Sequence, residues 1–225
     1  APVVSMESPR GLNDPSLGDF VEQVPNADLI LSLGKRFDFT TGFGKPPTMS
    51  ENAKFIVVDA EETELERARR SLGTRLINTH LADPVEIAKF LATTGKVGSI
   101  RTSWRTGVAN SIKARPREPS GSAGPMRPAS LCSEVQKIID RADDPILIID
   151  GGEFGQWAQA CLSSATRVIN GPGGAIGGGL CYAYAAKIAR PEATVIALMG
   201  DGTAGFHFSE FETASRYGAN FIAII

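Results

Sequence analysis

A Gly-Asp-Gly turn stands directly after an apolar strand pattern, at Gly200, Asp201 and Gly202. The strand pattern covers residues 193–199, and open parallel sheets bind their ligands at the carboxyl ends of such strands. Glycines let the backbone turn tightly and approach a ligand, and the N–H groups of such a turn can hold a phosphate. The carboxylate between them suits a magnesium ion that bridges to phosphate oxygens. A tight turn with a solvated aspartate is an equally good interpretation of this motif alone.

A second glycine cluster lies upstream of the turn, in the sequence NGPGGAIGGGL. Residues 171–179 hold six glycines, and Ile176 is the single large apolar side chain among them. Such a segment makes a poor helix and a poor strand. The composition therefore indicates that bare backbone is needed there, with one bulky side chain projecting from it.

Short apolar runs alternate with helical patterns, which predicts an α/β fold with two doubly wound parallel-sheet domains. Residues 1–98 contain the strand patterns ADLILSLG, AKFIVVDA and TRLINTHL and the helix pattern DPVEIAKFLATTG. Residues 131–225 predict a second domain with the strands PILIID, ATVIALM and NFIAII. Residues 99–130 end in a stretch rich in proline, glycine and serine and predict a linker. Ser209 and Glu212 have the spacing of a capping box for the last helix.

Both ends of the chain predict unfinished structure. The opening APVV has the composition of a strand and no initiator methionine, and the apolar run of 221–225 predicts a strand with no turn after it. We therefore expect this chain to be an internal piece of a longer protein.

Composition restricts the class of protein. The 225 residues are 42% hydrophobic and 21% charged, with a net charge of −2, which favours a globular cytoplasmic protein that binds neither nucleic acid nor membrane. No apolar run approaches the roughly 18 residues of a membrane span. Cys132, Cys161 and Cys181 are odd in number and lack CxxC spacing. They predict reduced, buried thiols and not a disulfide framework or a zinc site.

Together these residues resemble the thiamine diphosphate enzymes of the acetolactate synthase, benzoylformate decarboxylase and oxalyl-CoA decarboxylase superfamily. The segment from GPGGAIGGGLCYAYAAKIARP through GDG resembles the diphosphate-binding domain, and PMRP resembles the connector before it. ADLILSLGKRFDFTTGFG and AKFIVVDAEETE resemble the second half of the central, Rossmann-like domain. The resemblance therefore implies a partial central domain in 1–98 and a partial thiamine diphosphate (TPP)-binding domain in 131–225.

The resemblance implies thiamine diphosphate and Mg²⁺ as cofactors. Asp201 would coordinate the metal, and the backbone amides of Gly202, Thr203 and Ala204 would face the diphosphate. The full set of implied cofactor-binding residues is Gly152, Glu153, Phe154, Gly174, Ala175, Ile176, Gly200, Asp201, Gly202, Thr203 and Ala204.

Ile176 would be the wedge that bends the cofactor into a V shape, with its own N–H meeting the aminopyrimidine ring. The carbonyl of Gly174 would accept a hydrogen bond from the 4′-amino group. Glu153 and Phe154 stand where synthase-like members often have Gln and His. Because a carboxylate repels phosphate and Phe cannot donate, only backbone contacts are expected there.

A nucleotide site is also implied in the central domain. The segment LGKRFDFTTGFG resembles the part of relatives that contacts FAD or ADP, with Arg36 as the phosphate contact and Asp59 and Glu61 near the ribose. The alternative is structural: Arg36 pairs with Asp38, and Asp59 only ends a strand.

The resemblance assigns no catalytic residue to this chain. The family's activating glutamate belongs to a pyrimidine domain outside it, and a second metal ligand, an asparagine, would follow Asp201 by roughly 26 residues. The parent protein would act on 2-keto acids by decarboxylation or carboligation, as a homodimer or homotetramer, while this piece alone would be inactive. The alternatives are a 2-hydroxyacyl-CoA lyase or oxalyl-CoA decarboxylase acting on acyl-CoA, and, from another class, a non-catalytic nucleotide-binding or degenerate homologue.

Overall fold

The chain divides into two compact units. The computed structural model describes residues 1–6, 8, 10–95, 101–114, 125–170 and 174–225. The first unit is formed by Ala1–Val4, Gly11–Asn13 and Asp19–Lys113, and the second by Ser5–Arg10, Asp14–Gly18 and Ala114–Ile225. The first three positions of the glycine cluster, 171–173, and most of the Pro/Gly/Ser-rich part of the predicted linker, 115–124, lie outside the described residues.

The first unit contains a parallel sheet with the strand order β1-β2-β3. Its strands are β1 (Leu29–Leu33), β2 (Lys54–Asp59) and β3 (Leu76–Leu81). Its helices are α1 (Phe20–Gln23), α2 (Glu62–Leu72), α3 (Pro84–Thr94) and α4 (Thr102–Lys113), with 3₁₀ turns at Gly11–Asn13, Val24–Asn26, Phe39–Gly44 and Gly73–Arg75. Helix α4 occupies part of the predicted linker, and residues 1–4, predicted as a strand, form neither a strand nor a helix.

Buried apolar residues of β2 and α2 form the core of the first unit. Phe55 and Val57 of β2 are buried, and α2 buries Leu65, Ala68 and Leu72, whose spacing marks one face of a helix. Helix α4 is held at its start, where the Arg101 guanidinium donates to Asp28 at 2.9 Å and lowers the pKa of that carboxyl.

The second unit contains a parallel sheet with the order β5-β4-β6-β7. Its strands are β4 (Pro145–Ile149), β5 (Thr166–Ile169), β6 (Thr194–Leu198) and β7 (Ile222–Ile224). Its helices are α5 (Pro128–Arg141), α6 (Gly152–Cys161), α7 (Gly179–Ala189), α8 (Asp201–Gly205) and α9 (Glu210–Arg216), with a 3₁₀ turn at Pro15–Leu17.

Alternate residues of β4 and β6 pack into two separate clusters, because successive side chains of a strand point to opposite faces. Leu147 and Leu198 join buried residues of α5 and α6. Ile148 and Ala197 join Leu180 of α7 and its neighbours. The sheet is thus covered on both faces, and the predicted α/β class with parallel sheets is confirmed.

Two further differences from the sequence predictions concern short-range signals. β5 was not predicted; it is a four-residue edge strand that contains Arg167, and so short a run carries little apolar signal. Ser209 precedes α9 in a helical conformation without a side-chain cap, and its carbonyl accepts from the Glu212 N–H at 3.0 Å. The backbone therefore supplies the bond that a capping box would make.

The cysteines are free thiols. Cys132 is buried, and a hydrogen bond with Cys161, together with burial, raises the pKa of its thiol. Cys161 and Cys181 are half-buried. None of the helices within the described residues has the length and apolar character that crossing a membrane requires.

Removing the Ile148 side chain should destabilise the second unit by about 2 to 5 kcal/mol, because Ile148 is only 1% exposed and its loss leaves a cavity. Urea denaturation of Ile148→Ala, followed by Trp157 fluorescence in a Trp104→Phe background, measures this loss. The matched control is Ile188→Ala, since Ile188 is 54% exposed. Equal losses in the two variants would contradict the assigned core.

Candidate functional site

Three segments meet at the carboxyl edge of the sheet in the second unit. β4 and β6 are parallel neighbours whose last residues, Ile149 and Leu198, are paired, so the turns that follow them lie side by side. The first segment is 150–152, the second is 174–179, which ends at the first residue of α7, and the third is 200–203 at the start of α8.

Two glycine turns touch through bare backbone. The Gly200 N–H donates to the Gly151 carbonyl at 3.0 Å. An added Cβ at Gly152, whose φ is +84°, would lie 2.9 Å from the Gly200 Cα, and one at Gly200 would lie 3.2 Å from the Gly152 Cα. Real Cβ atoms do not tolerate the shorter distance, so a side chain at Gly152 would force the turns apart.

Ile176 rests on one of these glycines. A Cβ at Gly151 would lie 2.3 Å from the Ile176 Cγ2 and 3.3 Å from the Thr203 Oγ1. The Ile176 side chain is nevertheless 47% exposed, and Gly174 and Ala175 before it are exposed as well. One side of the isoleucine is therefore supported by backbone while the other faces solvent.

The Gly-Asp-Gly turn opens helix α8, with Gly200 as its N-cap. Asp201 and Gly202 are exposed, whereas Thr203 and Ala204 are buried. The Ala204 N–H donates to the Gly200 carbonyl at 2.9 Å, so it is already engaged within the turn. The earlier N–H groups of a helix have no carbonyl partner within it. A Cβ at Gly202 would meet no atom within 4 Å, so space is open beside it.

Glu153 and Phe154 lie in the first turn of α6 and not in a loop. The Glu153 side chain is exposed. Phe154 packs against the buried cluster that contains Leu147 and Ile149. The phenylalanine therefore contributes to the core, and the glutamate faces water.

The sequence reasoning missed Asp150 and His207. The buried Asp150 carboxylate accepts from the N–H groups of Gly151 at 2.7 Å, Gly177 at 3.0 Å and Gly179 at 2.6 Å. The Gly177 carbonyl lies 2.7 Å from the His207 Nδ1, and this nitrogen must carry the proton because a carbonyl only accepts. An acid at a strand end before two glycines, in IIDGG, is the signal that could have identified Asp150.

The charge of these segments decides what they can hold. The three segments together with the residues that directly follow them, 150–156, 174–180 and 200–207, include the three carboxylates of Asp150, Glu153 and Asp201 and no Lys or Arg. A polyphosphate would be repelled unless a divalent cation screened it. The described residues contain no group of three or more His, Cys, Asp or Glu that could hold a metal. Mg²⁺ fits Asp201, because this ion binds through one or two carboxylates and takes its other ligands from phosphate and water.

The predicted nucleotide residues lie at the carboxyl edge of the first unit's sheet. Arg36 is not paired with Asp38; its Nε lies 3.3 Å from Glu64. Asp59 is buried, and its Oδ1 accepts from the Glu61 N–H at 3.0 Å. Glu61 is the N-cap residue of α2 and makes no side-chain cap bond. Arg36 and Asp59 thus have local structural partners.

Comparisons with known proteins bear on this site. Residues 150–225 match the family of the thiamine pyrophosphate enzyme, C-terminal TPP binding domain. The chain is 30% identical over 206 residues to a probable acetolactate synthase of Mycobacterium bovis, covering 88% of the chain and 36% of that protein. It is 26% identical over 220 residues to a 2-hydroxyacyl-CoA lyase of Arabidopsis thaliana, covering 90% of the chain and 36% of that protein.

A solved structure shares the fold. The thiamine diphosphate-dependent 4-hydroxybenzoylformate decarboxylase of Rhodococcus jostii RHA1 matches with a TM-score of 0.67 and 22% identity, over 96% of this chain and 40% of that one. The chain spans 36% of the length of each of these two relatives, little more than a third.

Gly151→Ala should destabilise the second unit by about 1 to 3 kcal/mol, because the new methyl group overlaps the Ile176 side chain. Ile176 is β-branched and stiff at χ1, so it cannot simply rotate away. Urea denaturation of Gly151→Ala, Ile176→Ala and the double variant measures the coupling. The double variant should recover much of the loss, whereas strictly additive losses would contradict the contact. Gly205→Ala is the control, because a Cβ there meets nothing within 4 Å.

Proposed function

Because the chain belongs to the thiamine diphosphate-dependent enzyme superfamily, we propose that the protein containing it binds thiamine diphosphate and Mg²⁺. We propose further that this protein acts on 2-keto acids by decarboxylation or carboligation, in the manner of an acetolactate synthase. The proposal rests on one observation. Two glycine turns contact each other through their backbones, beside an exposed carboxylate, Asp201, and an exposed isoleucine, Ile176.

The diphosphate and the metal are held at the start of α8. Asp201 gives a carboxylate oxygen to Mg²⁺, and the N–H groups of Gly202 and Thr203 donate to phosphate oxygens. Support comes from the open space beside Gly202 and from the lack of an intrahelical partner for these first N–H groups. Ala204 takes no part through its N–H, because that group donates to Gly200.

The rest of the cofactor lies against the second segment. The Ile176 side chain would support the cofactor between its two rings, and the backbone of Gly174, Ala175 and Ile176 would lie beside the aminopyrimidine. The exposure of all three residues supports this role. Gly152 lets the backbone come close, while the side chains of Glu153 and Phe154 make no contact with the cofactor.

When bound, thiamine diphosphate supplies a nucleophilic carbon and accepts the electrons released when a carbon–carbon bond breaks. The residues of this chain bind and orient it, and no residue described here acts as an acid or base.

The substrate has a second candidate. Relatives of this chain include acetolactate synthase and 2-hydroxyacyl-CoA lyase, so an acyl-CoA lyase, or an oxalyl-CoA decarboxylase, is the alternative reaction. Pyruvate and a 2-hydroxyacyl-CoA, tested separately with the whole protein, distinguish the two. The whole protein is proposed to be a cytoplasmic homodimer or homotetramer.

A function of another class rests on the first unit. Arg36, Asp59 and Glu61 lie at one sheet edge, and a non-catalytic homologue would bind FAD or ADP there. The local pairing of Arg36 with Glu64 and of Asp59 with the Glu61 N–H favours a structural role instead. Binding of ADP or FAD without any binding of thiamine diphosphate would support the nucleotide function.

Asp201→Ala should weaken binding of thiamine diphosphate in the presence of Mg²⁺ by more than about 100-fold, the upper end of the loss seen for residues that only support metal ligands. Titration calorimetry with the protein that contains this chain measures this change, and chelation of Mg²⁺ should abolish binding by the wild type. The control is Asp143→Ala, an exposed aspartate before β4 at the opposite edge of the sheet. Equal affinity of Asp201→Ala and the wild type would refute the metal assignment.

Ile176→Ala should slow exchange of the C2 proton of bound thiamine diphosphate for deuterium by about 10- to 100-fold, because a small displacement of reacting groups is costly. Its effect on stability should be well below the cost of a buried isoleucine, since the side chain is 47% exposed. Proton NMR measures the exchange without any substrate. Loss of exchange only in proportion to loss of folded protein would favour a purely structural role for Ile176.

A further inference from the structure

Asp150 has a buried carboxylate and makes none of the proposed contacts with the cofactor. Its side chain is only 3% exposed, and burying a charge is costly unless hydrogen bonds compensate. Its Oδ1 accepts from the Gly151 N–H, and its Oδ2 accepts from the N–H groups of Gly177 and Gly179. The bonds that stabilise the charge therefore come from two different segments of the site, and the carboxylate joins them.

The carboxylate is itself fixed by the sheet. The Asp150 N–H donates to the Leu198 carbonyl at 3.0 Å, so the residue is held between β4 and β6. The glycines opposite it allow a close approach: Gly177 has a φ of +102°, and a Cβ at Gly179 would lie 2.9 Å from the Asp150 Cβ. Asp150 therefore fixes the position of the loop, because Asp150 is the residue that is hydrogen-bonded to the sheet.

His207 makes a second side-chain hydrogen bond to the backbone of Gly177. Its Nδ1–H donates to the Gly177 carbonyl at 2.7 Å, while the Gly177 N–H donates to Asp150. Both backbone polar groups of Gly177 are thus bound, by side chains from two separate parts of the chain. Gly177 directly follows Ile176, so fixing its backbone fixes the direction in which the isoleucine projects.

We propose that Asp150 and His207 are positioning residues that clamp the backbone at Gly177 and so aim the Ile176 side chain at the bound cofactor. The identity of that cofactor rests on the proposed function, whereas the clamp is a property of this chain. Neither side chain needs to touch the ligand.

A purely structural role and a positioning role have different consequences. If Asp150 only stabilises the fold, its replacement lowers stability and leaves the cofactor correctly bent in the molecules that remain folded. If Asp150 positions Ile176, the folded molecules still bind the diphosphate through Asp201 and Gly202 but react more slowly. Cofactor affinity and C2 proton exchange therefore have to be measured on the same variants.

The experiment compares Asp150→Asn with Asp143→Asn in the protein that contains this chain. The asparagine keeps the shape of the side chain but has one acceptor oxygen in place of two, so either Gly151 or the pair Gly177 and Gly179 must face an NH2 donor. Hydrogen–deuterium exchange in peptides spanning residues 174–180, followed by mass spectrometry, should become at least about tenfold faster. The C2 proton of bound thiamine diphosphate should exchange about 10- to 100-fold more slowly, with little change in cofactor affinity. Asp143→Asn should change none of the three.

A second pair of variants tests the other half of the clamp. His207→Asn keeps an N–H donor near the position of Nδ1 and should behave like the wild type, whereas His207→Ala should speed amide exchange in the loop and slow C2 exchange. If Asp150→Asn does not fold, the two His207 variants test the clamp by themselves.

Unchanged amide exchange in Asp150→Asn and His207→Ala would overturn the clamp. Faster amide exchange with unchanged C2 exchange would show that the clamp does not aim Ile176, and would overturn the positioning role. If the wild type binds no thiamine diphosphate, the proposed function fails, and amide exchange still tests the clamp by itself.

Discussion

The second unit depends on the direct contact of two backbone turns. The Gly200 N–H bonds to the Gly151 carbonyl, and a Cβ at Gly152 would lie only 2.9 Å from the Gly200 Cα. This contact is possible because β4 and β6 are adjacent parallel strands that end in register. A larger residue at Gly152 would separate the turns, and the start of α8 and the support under Ile176 would move with them.

Burial divides the acidic residues of the site into two kinds. Asp150 is buried, and three backbone N–H groups compensate its charge, so its hydrogen bonds are made within the protein and not to a ligand. Asp201 is exposed at the start of α8, where the helix N-terminus favours negative charge but the carboxylate can still bind a metal. With no basic residue in the three segments, an anionic ligand has to bring a cation with it. The same side-chain chemistry thus stabilises the loop at one position and is available for the proposed metal binding at the other.

Much of the architecture could be predicted from the sequence, because buried parallel strands have a strong apolar signal. Long runs such as AKFIVVDA and ATVIALM gave β2 and β6, and their alternation with helices gave the α/β class. The prediction failed where the signal is short: β5 has only four residues, and the backbone replaces the expected Ser209 cap. Residues 102–113 are predicted as linker but form helix α4; the segment buries only Val108, so its sequence has little apolar pattern.

Some residues of the candidate site stand out in the sequence and others do not, for a physical reason. Glycine clusters and Asp201 are visible in the sequence because their composition is unusual. Asp150 and His207 are ordinary residues whose importance lies in bonds to Gly177, which is 27 and 30 residues away in sequence. The core packing of Phe154 and the use of the Ala204 N–H within its own helix likewise depend on three-dimensional contacts. The pattern IIDGG marks Asp150 as an acid at a strand end, but its hydrogen-bond partners and that of His207 cannot be read from local pattern.

The most direct measurement is a crystal structure of the protein that contains this chain, grown with thiamine diphosphate and Mg²⁺. We predict Mg²⁺ at about 2.0 to 2.1 Å from an Asp201 carboxylate oxygen, diphosphate oxygens on the Gly202 and Thr203 N–H groups, and Ile176 against the middle of the cofactor. A cofactor bound away from this sheet edge, or a metal held without Asp201, would contradict this prediction.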